Sequence, residues 1–214
     1  MKSLIGTVVG AFFGLAASAA AQAPVAIVED VQGKVDGIEF MDYVAPGKVI
    51  KLGPKAMVVL GYMKSCWRET ITGGTVVVGA EQSMVNLGDI QRVKVDCDGS
   101  AIQLSDRAAS QSAATTFRAL RPQLTLYGLS PVVEVKGGDT LVVERIDVQG
   151  ERYTVSLKSI ALVQGKFYDF AKANVSLTAG GTYAASLGSR RMTFKIDPHA
   201  ISGSTPIIGR LLRL

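Results

Sequence analysis

The sequence has little of what most enzyme chemistry requires. Its 214 residues include one histidine, two cysteines and one tryptophan. As a general base, His199 in Asp197-Pro-His-Ala200 would need a nucleophile and an orienting group. No G-x-S-x-G elbow supplies the nucleophile, and His199 reads as a loop residue beyond the last strand. One histidine and two cysteines do not make a zinc set, and there is no D-x-D-x-D-G calcium loop. A phosphate-cradling G-x-x-x-x-G-K-[ST] is also missing. Glu69, Glu81 and Glu134 stand outside turns, and each is expected on the wet face of a strand. No catalytic, cofactor-binding or metal-ligating residue is therefore assigned, no cofactor is expected, and the chain is read as not an enzyme.

Long apolar runs are missing too, except at the start. Residues 1–21 read as a secretory signal peptide: Lys2 is the positive n-region, Leu4 through Ala17 the apolar h-region, and A-x-A spacing follows. Three cleavage registers fit, and the favoured ones cut after Ala19 or Ala21. The apolar run is shorter than the ~20 residues needed to span a bilayer, so no transmembrane anchor is expected once the leader is removed. The densest later run, Ala56–Tyr62, is only strand-sized. Export places the chain in the periplasm or outside the bacterium, where Cys66 and Cys97 are expected to pair. A bridge over that length of chain contributes on the order of 3 kcal/mol. Cys97 alternates in phase with Val93 and Val95, which puts its sulfur on the core side of a strand.

The remaining chain is punctuated as an all-β protein, with runs of 4–8 residues separated by Gly, Pro, Asp or Asn. In the first half the expected strands are 25–29, 34–40, 48–52, 57–62, 67–72, 75–78 and 91–97. Turns are expected at Pro46-Gly47, Gly53-Pro54, Gly73-Gly74 and Asp98-Gly99. Residues 105–122 lack glycine, are rich in Ala and Ser, and read as a short helix or linker. Beyond them strands are expected at 123–127, 132–135, 140–146, 152–157, 159–163, 166–170, 174–177, 183–187 and 192–196. The alternation of Tyr153, Val155 and Leu157 with polar neighbours fits an antiparallel sandwich. The fold class expected is two β-sandwich-like domains, 22–104 and 123–214, joined by the 105–122 segment.

Two resemblances accompany this reading. Val31-Gln-Gly-Lys-Val35, Gly47-Lys-Val-Ile-Lys-Leu-Gly53, the strand Met57–Tyr62 and Thr75-Val-Val-Val-Gly79 together resemble the secreted FecR-like domain, a β-rich periplasmic module. Where that family has an Asp-Gly type of turn, this chain has Met63-Lys-Ser-Cys-Trp67. In the second half, Leu177-Thr-Ala-Gly-Gly-Thr-Tyr183 resembles the L-x-P-G-T-x-Y corner of immunoglobulin-like and fibronectin type III-like sandwiches, with Ala179 in place of proline. That corner implies a tyrosine ring packed on the core and a hydroxyl bonded to backbone upstream. Neither family brings catalytic residues, and both imply interaction or sensing roles in the cell envelope.

Charge is uneven. Residues 22–104 carry 8 Lys/Arg against 10 Asp/Glu, and residues 105–214 carry 14 against 8. The basic half suits an anionic envelope polymer, a partner's acidic face, or an ordinary solvated surface. Nucleic acid is not expected as a partner of an exported chain. Trp67 is read either as packing over the disulfide or as a sugar platform, with Arg68 and Glu69 bonding hydroxyls. The tail Pro206–Leu214 reads as a final strand, a docked segment or an amphipathic partner-binding stretch. The function expected is protein binding by an exported envelope interaction or sensory module; the alternative is a periplasmic protein binding cell-wall glycan or peptidoglycan.

Overall fold

The computed structural model describes residues 22–99, 124–203 and 205–214. The leader and the 105–122 segment lie outside these residues. The fold is all-β. Strands β1 (Ala26–Gln32), β2 (Tyr43–Val44), β3 (Val49–Tyr62), β4 (Trp67–Val78), β5 (Ser83–Asn86) and β6 (Asp89–Lys94) form a six-stranded antiparallel sheet. Its order is β2-β1-β3-β4-β5, with β6 also on β4. One face buries Val28, Ile50, Val58, Leu60, Tyr62, Ile71 and Val76 as the first core. Their alternation with exposed neighbours follows from the two-residue side-chain period of a strand.

Four expected strands here are really two. Segments 48–52 and 57–62 merge into β3, and 67–72 and 75–78 merge into β4. Gly53-Pro54 and Gly73-Gly74 are not turns; they face each other across an irregularity in one long hairpin, between the pairs Leu52↔Gly74 and Met57↔Thr72. Gly74 has φ +76°, and a Cβ there would meet Asn86 O at 2.4 Å, so only glycine fits. Strand 34–40 is not formed; the segment is a loop touching the sheet at the single bridge Val35↔Leu52. Strand β5 was not foreseen.

In the second half, β7 (Leu124–Gly128), β9 (Thr140–Arg145), β10 (Arg152–Ser156), β12 (Thr182–Leu187) and β13 (Arg190–Ile201) form a sheet of order β10-β9-β12-β13-β7. A three-stranded sheet holds β8 (Val132–Glu134), β11 (Phe167–Asp169) and β14 (Leu211–Arg213), in the order β11-β8-β14. Segments 159–163 and 174–177 are turns and loops, with Asn174 at φ +54°. The purely antiparallel expectation fails at two pairings, since β7/β13 and β8/β14 are parallel. Two stretches of chain, β7 to β8 and β13 to β14, pass as ribbons from one sheet to the other side by side, with Leu129 N donating to Ile201 O at 3.0 Å and Val132 N to Arg210 O at 2.8 Å. Running the same way in both sheets, they can only pair in parallel.

The two halves share the second core. Ile27, Met41 and Met63 from the first half pack with Leu126, Val133, Leu141, Phe167, Phe170, Tyr183 and Phe194. The tail 206–214 is docked: Ile207, Ile208, Leu211 and Leu212 are buried. Ile208 lies against the first sheet where Gly61 leaves room, because a Cβ on Gly61 would stand 2.7 Å from both Ile208 Cγ2 and Glu29 Oε1.

Candidate functional site

Cys66 and Cys97 form the expected disulfide, with their Cα atoms 5.7 Å apart. It ties the turn before β4 to the segment after β6. Cys97 lies past the end of β6 and so is not in a strand. It is half-buried and packs with Val95 against the second core, on the core side as expected, whereas Val93, still in β6, is 59% exposed. Beyond Lys94 the chain leaves the sheet, and Val95 and Cys97 turn to the core while Asp96 between them is exposed.

The Trp67, Arg68 and Glu69 trio does not form one exposed platform. Trp67 is half-buried, and Lys94 Nζ sits 4.6 Å from its ring centroid while donating to Ser65 O. Arg68 Nε donates to Glu29 Oε2 at 2.8 Å. Glu69 is fully buried rather than on a wet face; it accepts the Ser83 N–H at 3.1 Å and Arg92 Nε at 2.7 Å. Tyr62, hydrogen-bonded to Ser83 at 2.8 Å, has its hydroxyl pushed up to about 12 by burial, with the Glu69 charge adding to the rise. This network fastens β5 and β6 onto β4.

Glu134 is likewise buried, whereas Glu81 is exposed, though in the bend between β4 and β5 rather than on a strand. Tyr43 Oη donates to Glu134 Oε2 at 2.8 Å, Arg213 Nε donates at 3.1 Å, and Lys136 Nζ lies at 3.3 Å. Burial raises the Glu134 pKa, but the Tyr43 hydroxyl and the two cations outweigh it and hold the carboxyl below its ordinary 4.5. Glu29 accepts the Ile208 N–H at 3.0 Å. Glu134 and Glu29 thereby bind the halves together. Buried charges persist only when paired and hydrogen-bonded, and each of these is.

A cleft of about 590 Å³ opens where the halves meet, between the loop Lys34–Asp42 and the turn at Gln164–Lys166. Gln164, at φ +49°, donates from Nε2 to Phe40 O at 2.6 Å and to Asp42 Oδ1 at 3.2 Å. Asp42 Oδ2 accepts the Glu39 N–H at 2.7 Å. Met41, behind this wall, has φ +73°. Two non-glycine residues in the left-handed region represent stored strain of about 1–3 kcal/mol each, the kind that collects at ligand clamps.

Elsewhere the surface carries an apolar row. Val49, Val77 and Met84 are opposite one another on β3, β4 and β5, and Val49 and Met84 are 50% and 68% exposed. This is the far end of the sheet face whose near end, at Gly61 and Arg68, receives the tail. His199 lies within β13 rather than in a loop, with its side chain in solvent. Among the described residues, no group of three or more His, Cys, Asp or Glu side chains is placed to hold a metal ion. None of their helices is long and apolar enough to cross a membrane.

The Leu177–Tyr183 corner has the geometry its spacing predicts. Tyr183 Oη accepts the Thr178 N–H at 2.8 Å and donates to Glu151 Oε2 at 2.8 Å, and its ring stacks on Phe194 with centroids 5.6 Å apart. No protein-family model matches the sequence, and comparisons with curated proteins and with solved structures found no match.

Proposed function

We propose that the chain is an exported bacterial envelope protein, periplasmic or secreted, that acts without catalysis as an interaction or sensory accessory module. The observation that carries this is the Val49–Val77–Met84 row, an apolar strip left on an outer sheet face. Contiguous exposed apolar surface marks an interaction site. The disulfide and the leader-like first 21 residues support export. The FecR-like and immunoglobulin-like resemblances of the two halves agree with a binding role. The glycan alternative loses its strongest support with Glu69 inside the protein.

A photo-reactive amino acid at position 84, introduced in cells, tests the reading. The expected result is a discrete adduct in the envelope fraction with the leader removed, lost on Val49→Asp. A protein retained unprocessed in the cytoplasm with reduced cysteines, or the absence of an adduct, overturns it.

A further inference from the structure

The cleft between the halves differs in chemistry from the apolar row. Beside Val35 and Ile38 its lining carries two ammonium groups, Lys34 and Lys166, and three carboxylates, Asp36, Glu39 and Asp42. Each half supplies one lysine. Asp42 is occupied by Gln164 and the Glu39 N–H, so it builds the wall rather than receiving a ligand. Among the described residues, no ion pair takes up Lys34, Lys166, Asp36 or Glu39. All four side chains are exposed, and they flank one opening.

We propose that this cleft binds a short peptide through its free amino and carboxylate groups, the ammonium held by Asp36 and Glu39 and the carboxylate by Lys34 and Lys166. A simple anion such as phosphate is disfavoured because it would face Asp36 and Glu39 with no positive charge of its own to offer them. A neutral saccharide is disfavoured because no aromatic ring lines the cleft to stack on it. A zwitterion satisfies both signs at once with charge-assisted hydrogen bonds. The volume falls in the range of small-ligand sites. Because the lysines come from different halves, an occupied cleft draws together the same segments that Gln164 already latches. The proposal rests on the reading of the chain as a binding protein and names a ligand class for it.

The test is calorimetric titration of the full mature chain with trialanine, with N-acetyl-trialanine amide, with inorganic phosphate and with a chitin oligosaccharide. Trialanine is expected to bind, and the blocked peptide, which lacks both charges, to bind about a hundredfold more weakly or not at all, the loss of ~2.8 kcal/mol that two charge-assisted contacts carry. Lys166→Ala and Glu39→Gln, at solvent-facing positions, each remove one such contact and are each expected to lower trialanine affinity about tenfold with the melting temperature unchanged. Equal binding of blocked and free peptide, wild-type affinity in both variants, tighter binding of phosphate or saccharide, or no binding of any probe overturns the proposal. Loss of the peptide site with the position-84 adduct intact removes the cleft proposal alone. Loss of the adduct with peptide binding intact removes only the apolar-row reading.

Discussion

Arg210 holds the carboxylate of Asp169 from inside the protein, with Nη1–Oδ1 at 2.6 Å and Nη2–Oδ2 at 3.4 Å and both side chains at most 6% exposed. The same guanidinium donates to Ser130 O and Thr205 O, each at 3.0 Å. It therefore pins both ribbons at the place where they cross between the sheets. Gly128 permits the close crossing, since a Cβ there would meet Thr205 Oγ1 at 2.4 Å.

Removing one partner of that pair leaves a buried charge uncompensated. Arg210→Met or Asp169→Leu is expected to cost about 3–5 kcal/mol by urea denaturation, and the double variant Arg210→Met/Asp169→Leu to recover most of the loss. Additive losses in the double variant would show that the guanidinium's backbone bonds, not its carboxylate partner, hold the corner.

Acid should unlock the contact between the halves through Glu134. Its folded-state pKa is depressed, so the stability it contributes is present above the ordinary carboxylate value and is lost as pH falls through the lower folded value. Tyr43→Phe keeps the ring under Arg213, 4.9 Å from the guanidinium, but removes the hydroxyl donor. The Glu134 pKa then rises, and the acid-unfolding midpoint followed by Trp67 fluorescence is expected to move to higher pH. An unchanged or lower midpoint contradicts this account.

For the disulfide, Cys66→Ser/Cys97→Ser is expected to lose on the order of 3 kcal/mol, most of it from greater freedom of the unfolded chain. Wild-type protein in reducing agent should lose the same amount. The fold is expected to survive at moderate temperature, because the bridge links segments already held by β4/β6 pairing. Unchanged stability on reduction would mean that the denatured chain is held compact by other contacts.

Much of the sheet content was legible because alternation and glycine punctuation are local. The tyrosine corner was legible for the same reason: Thr178 and Tyr183 are five residues apart. Merged strands were not. Gly-Pro and Gly-Gly look alike whether they turn a chain or relieve a long twisted hairpin, and only the facing strand distinguishes the two. The buried carboxylates were misread for a related reason. Glu69 sits among polar neighbours, and its cation, Arg92, is 23 residues away; Arg213 is 79 residues from Glu134. No periodicity reports a partner at that range. The cleft was equally hidden, since Lys34 and Lys166 meet only through the docking of the halves.

The docked tail also governs the order in which the chain can complete its structure. Glu29 on the first strand receives its backbone donor from residue 208, 179 positions later. β8 has its β14 neighbour, and Asp169 its guanidinium, only when the same final segment arrives. Contacts of such high sequence separation close slowly, because loop entropy is spent before they form. A chain threaded through a membrane from its amino end would thus lack these contacts until residues 208–213 emerged, and that one segment would then close against both halves at once.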